Sequence, residues 1–124
     1  MIDAVDAKKM AALFAAVAEP TRVLVLHHLT GGPLHVGRLA DLVGIPIVNM
    51  SHHLGVMRQA GILDDDKKGR RVVYSLRKDI FDPGDDDHYC ILTFGKYRIG
   101  LRRNPTPIPV PTSTVPKRNK KAGT

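Results

Sequence analysis

Residues 39–61 read LADLVGIPIVNMSHHLGVMRQAG, and the fold turns on how this stretch divides. From Ile47 to Ala60, Met50, His53, Leu54 and Met57 recur at i, i+3, i+4 and i+7. That is the period of a helix with one inward stripe. Just upstream, Leu39, Ala40 and Val43 mark the inner side of a shorter helix over about Val36–Val43. Gly44 stops it, Ile45-Pro46 leads into the longer helix, and Gly61 closes that one. A short helix, a tight turn and a longer helix make a helix-turn-helix.

Working outward, two more helices precede the pair. Ala7–Ala18 carries Met10, Leu13, Phe14 and Val17 on one stripe, with alanine filling most of the rest. Pro20 suits a first helical turn, where a missing N–H costs nothing, and Glu19 favours the positive helix end. The second helix therefore spans about Pro20–Leu29, with Val23, Leu26, His27 and Leu29 expected inward. After Gly61 the period changes to two. Ile62–Asp66 and Arg71–Leu76 read as strands around a glycine-bearing tip, Lys67-Lys68-Gly69-Arg70. A hairpin directly after a helix-turn-helix is where a wing would lie over a DNA backbone.

The rest of the chain divides by composition. Residues 1–6 read as a short arm, 7–78 as the winged helix-turn-helix, and 79–104 as an acidic loop followed by a second hairpin, Tyr89–Phe94 and Tyr97–Arg102. Residues 105–124 are rich in proline and then basic, a composition that favours an extended, mobile tail. The expected class is α+β, mostly α.

Apolar residues are 43% of the 124 and aromatic ones only 5%, so the core is aliphatic. The net charge of +7 favours an anionic partner, nucleic acid first. Four of those charges, Lys117, Arg118, Lys120 and Lys121, sit on the tail, so the excess says less about the folded part. A single cysteine, Cys90, forms no internal disulfide and gives no sign of an oxidising compartment. Met1–Asp6 carries two acids where a secretion signal would be positive, and no stretch approaches the roughly 18 apolar residues of a membrane span. A cytoplasmic chain with no membrane partner is expected. No nucleophile–base set, phosphate-cradling glycine loop or paired-carboxylate spacing points to an enzyme.

The adjacent histidines, His52 and His53, are no metal site on their own. Neighbours on a helix point about 100° apart and cannot close on one ion. His52 lies outward. His53 faces the helices behind, as a satisfied, partly buried histidine or as a reach to phosphate.

Glu19-Pro20-Thr21-Arg22, Leu39-Ala40, the run Met50-Ser51-His52-His53-Leu54-Gly55-Val56-Met57-Arg58-Gln59-Ala60-Gly61-Ile62-Leu63, and Gly69-Arg70-Arg71-Val72-Val73-Tyr74-Ser75-Leu76 together resemble the ArsR/SmtB family. The likeness covers about Leu13 to Leu76. It implies a dimeric winged-helix repressor whose partners are double-stranded DNA and a second copy of the chain. It places Ser51 and His52 on the exposed side of the recognition helix, and Arg58 is a further expected DNA contact; the helix start, Ile47-Val48-Asn49, is more apolar than the family's and is expected to face DNA as well. Ile47 and Val48 suit a thymine methyl and Asn49 suits adenine. Lys67, Lys68, Arg70 and Arg71 become wing contacts to phosphate, against the plainer reading of a solvated turn. Met10, Leu13, Phe14 and Val17 become the dimer interface, with the C-terminal hairpin standing in place of the family's last helix.

The chain also departs from the pattern. Pro46 stands where a capping Ser or Thr is usual, and Gly55 where a basic residue is common. Both imply modest DNA affinity or weaker sequence reading. Asp64-Asp65-Asp66 is awkward beside DNA and is expected at the wing base, turned away from phosphates or balancing Lys67 and Lys68. The family's Cys-x-Cys metal motif is replaced by Leu34-His35-Val36-Gly37-Arg38, and Asp86-x-His88 lacks later ligands near Ile99, so no metal or cofactor is expected. The competing reading is a winged-helix module for protein contact, with DNA binding weak or lost.

Overall fold

The helix-turn-helix forms because Gly44 takes a backbone that other residues adopt only under strain. Its φ of +82° ends one helix and turns the chain into the next. The Gly44 and Ile45 N–H groups both donate to the Ala40 carbonyl, at 2.8 and 3.1 Å, satisfying the helix end. In the computed structural model, which describes residues 1–82 and 90–109, the elements run in this order. Helices α1 (Ala4–Val17) and α2 (Pro20–Leu29) come first, then strand β1 (Leu34–His35), α3 (Val36–Val43) and α4 (Ile47–Gln59). Strands β2 (Leu63–Lys68), β3 (Arg71–Leu76), β4 (Phe81–Asp82), β5 (Cys90–Phe94) and β6 (Tyr97–Leu101) complete it.

The four helices and the wing lie where the periodicity puts them, and the class is a winged helix-turn-helix. Each helix start has a local cause. Asp3 accepts from the Asp6 N–H at 2.8 Å, so α1 begins at Ala4 and the arm is shorter than the expected 1–6. Glu19 accepts from the Arg22 N–H at 3.0 Å. Slight desolvation raises its carboxyl, but hydrogen bonds from the Arg22 and Thr21 N–H groups outweigh that and hold it below the usual carboxylate range. His35 caps α3, its Nδ1 accepting from the Arg38 N–H at 3.2 Å.

The core is built from all four helices and the wing base. Val25, Leu39, Met50, Leu54, Met57, Ile62 and Leu63 are almost wholly enclosed. Two inward expectations for α2 fail: Val23 and His27 are exposed, and Val25 takes the inner place with Leu26 and Leu29. The four residues of the α1 stripe differ in exposure within the protomer. Met10 and Leu13 are 9% and 8% exposed and pack into the protomer's own core, Val17 is half-buried against it, and Phe14 faces outward at 43%.

Two antiparallel sheets flank the helices. The first has the order β1-β3-β2 and pairs Leu34 with Tyr74 and Leu63 with Leu76. Lys68 opposes Arg71, so the wing turn is the two residues Gly69-Arg70. Gly69 has a φ of +64° and Arg70 is not positive, the arrangement of a type II′ hairpin turn. The second sheet has the order β4-β5-β6, with Cys90 opposite Leu101 and Phe94 opposite Tyr97. It is the expected C-terminal hairpin with one further strand, and Phe81 and Cys90 join it to the core. Asp86 and His88, and the tail from 110 onward, lie outside the described residues. No single helix among the described residues is long and apolar enough to cross a membrane.

Candidate nucleic-acid interface

Met50, Leu54 and Met57 fix the orientation of α4, because all three are sealed in the core. At about 100° per residue, Val48, His52, Gly55 and Gln59 must then point away from the protein. Ile47, Ser51 and Arg58 run along one flank of that outward stripe and Asn49 along the other. Solvent exposure agrees: Ile47 is 53% and Val48 76% exposed, and Asn49, Ser51, His52, Arg58 and Gln59 are exposed too. Large apolar groups left in water at a helix start carry a cost that invites a partner. Gln59 was missed at the sequence level, although its spacing of 4, 3 and 4 from Val48 through His52 and Gly55 carries the signal.

The start of α4 is open. Pro46 occupies the cap position and no side-chain cap bond forms there. The first-turn N–H groups and the positive end of the helix therefore present donors that an anion can use. Gly55 leaves a bare patch midway along the outward stripe, where a Cβ would meet nothing within 4 Å.

His53 is separate from this face. Its Nδ1 accepts a hydrogen bond from Arg22 Nε at 3.1 Å, and Arg22 Nη1 also donates to the Ala16 carbonyl at 3.3 Å. The half-buried histidine is satisfied inside the protomer, the plainer of its two readings. The rings of His52 and His53 lie edge to face, 6.0 Å apart, one outside and one inside.

The wing carries its cations on an exposed tip: Lys67, Lys68, Arg70 and Arg71. The acidic triplet is distributed among three partners. Asp65 Oδ2 lies 3.8 Å from Arg58 Nε, Asp66 Oδ2 lies 3.5 Å from Lys68 Nζ, and Asp64 Oδ1 lies 4.0 Å from Arg77 Nε. Arg77 is held more firmly by Asp79, through bonds of 3.1 and 2.7 Å. That bond sets the Asp79 carboxyl below its ordinary range. Asp65 therefore balances a residue of the recognition helix rather than a wing lysine. Lys67, Arg70 and Arg71 enter no ion pair among the described residues.

The geometry agrees with what similar proteins are. A family model for a helix-turn-helix domain matches residues 17–66. Over 75 residues the chain is 39% identical to the HTH-type transcriptional regulator NmtR of Mycobacterium tuberculosis, a match spanning 60% of this chain and 62% of that protein. It is 38% identical over 64 residues to the transcriptional repressor SdpR of Bacillus subtilis, spanning 52% of this chain and 71% of the relative. Among solved structures, that of an ArsR family transcriptional regulator superposes with a TM-score of 0.53 at 28% identity, covering 57% of this chain and 73% of the other.

Proposed function

This chain belongs to the ArsR family of winged helix-turn-helix transcriptional regulators, and from that premise we propose that it works as a dimeric repressor occluding a promoter. The observation that carries the reading is the outward face of α4. Its inner stripe is locked in the core, while Ile47, Val48, Asn49, Ser51 and His52 are exposed beside a basic wing tip. A helix with its side chains fits the major groove of duplex DNA. In that groove Asn49 pairs with adenine N6 and N7, Ile47 or Val48 packs on a thymine methyl, and Ser51 and His52 donate to base edges or phosphate. The open start of α4 takes a phosphate on its N–H groups, and Arg70, Arg71 and Lys67 reach the flanking backbone.

One winged helix covers one half-site, so a second copy is needed to read two half-sites about one helical turn apart. The surface offered for that contact is Phe14 on α1, Val23 on α2, and Ile99 and Leu101 on β6, all exposed and apolar. These residues border a groove of about 260 Å³ between the first two helices and the C-terminal sheet. Val17, Leu26, Phe81, Cys90 and Leu92 also line that groove. Such a regulator works in the compartment that holds the chromosome, the cytoplasm of a prokaryotic cell.

Binding to random duplex DNA across a salt series tests this. A regulator shows log Kd rising with log salt at a slope of several units, and Arg70→Ala lowers that slope by about one. A flat salt response contradicts DNA binding and favours the protein-contact module.

A further inference from the structure

The pairing of Arg58 with Asp65 joins the end of the recognition helix to the first strand of the wing. Along β2, Leu63 is buried, and Asp65 and Lys67 follow it on the same side by strand alternation. Asp65 therefore faces the end of α4, where Arg58 extends toward it. The two charges stand 3.8 Å apart with side chains 43% and 44% exposed. That is longer than the 2.7–2.9 Å of a charge-assisted hydrogen bond, and an open pair of this kind adds little to stability. A phosphate oxygen brought to hydrogen-bond distance takes the guanidinium from it.

We propose that Asp65 acts as an internal competitor for Arg58 that sharpens discrimination between target and random DNA. The inference rests on the DNA-binding reading above. In a loosely docked, sequence-independent complex Arg58 stays on Asp65 and contributes no phosphate contact. Only when base contacts by Asn49 and His52 seat α4 in the groove does a phosphate come close enough to displace the carboxylate. Affinity for random duplex comes almost entirely from neutralised phosphates, so withholding one cation weakens that mode specifically. The same device recurs at the wing, where Asp66 holds Lys68 at 3.5 Å.

The test uses the full chain and two probes, a random duplex and a duplex selected from a random pool by binding to the wild type. Asp65→Asn is nearly isosteric at an exposed position, and circular dichroism confirms that it folds. It is expected to bind random duplex about five-fold tighter at 0.15 M salt, with a slope steeper by about 0.9, the contribution of one more phosphate contact. The selected-to-random affinity ratio is expected to fall. In an Arg58→Ala background Asp65→Asn is expected to give no such gain, since no cation remains to release. An Asp65→Asn protein that gains nothing on random DNA overturns the proposal. So does an equal gain with and without Arg58, which would make Asp65 a simple repulsive charge, and so does an unchanged ratio. A wild type with no salt-dependent binding overturns the DNA-binding reading as well, so the two failures are told apart.

Discussion

Arg22 Nε donates to His53 Nδ1 across 3.1 Å, tying the first turn of α2 to the middle of the recognition helix. The same guanidinium donates to the Ala16 carbonyl near the end of α1, and Glu19 holds the Arg22 backbone N–H. One arginine thus links three helices at the point where the chain bends between the first two. The outward pose of His52 follows, because its neighbour is fixed inward.

His53→Ala should destabilise the fold by about 1–2 kcal/mol, the cost of leaving a partly buried donor without its partner. Arg22→Ala should cost at least as much. The double variant should fall short of the sum, since either change removes the same bond. Thermal or urea unfolding of the four proteins measures this, and strict additivity would mean that the contact carries no energy.

Gly55→Ala should stabilise the chain by about 0.5–1 kcal/mol. A Cβ at that position meets nothing within 4 Å, and glycine inside a helix is less favourable than alanine by that amount. A rise in the unfolding midpoint is the expected result.

Phe14→Asp and Leu101→Asp should each shift the chain from dimer to monomer in sedimentation experiments, with far-ultraviolet circular dichroism unchanged. Both side chains are exposed on the apolar face, so a charge there disturbs association rather than the core. Met10→Asp should instead unfold the protein, because Met10 is packed inside the protomer.

Cys90 should alkylate slowly at neutral pH. Burial pushes its thiol above the ordinary value of about 8.5, so less thiolate is present at pH 7 than for a free cysteine. The rate with iodoacetamide should climb steeply only at alkaline pH. The linkage has a definite sign. A thiol that holds its proton more tightly when folded makes the fold less stable as pH rises past the unfolded thiol's value. Alkylation at pH 7 as fast as that of a free thiol would contradict the burial.

The helix-turn-helix was legible because Met50, Leu54 and Met57 keep helical spacing and Gly44 breaks the pattern where a left-handed residue is needed. Other features were not, for physical reasons. Strand β1, Leu34–His35, is two residues long and exists only by pairing with β3, so no periodicity announces it. The stripe on α1 was visible, but spacing alone does not say whether a stripe packs on its own core or on a second copy. Met10 and Leu13 are buried in the protomer and Phe14 is exposed. The acidic triplet looked like a problem for the wing until the bend between α4 and β2 brought Asp65 beside Arg58, a pairing no local pattern encodes.

The most direct measurement is the affinity ratio between a duplex selected by the wild type and a random duplex, for the wild type, Asn49→Ala and His52→Ala. If the outward face of α4 reads bases, each variant should lose about 1–3 kcal/mol on the selected duplex, a ratio lowered roughly 5- to 150-fold, with random binding little changed. Variants that keep the wild-type ratio would show that this face does not read DNA.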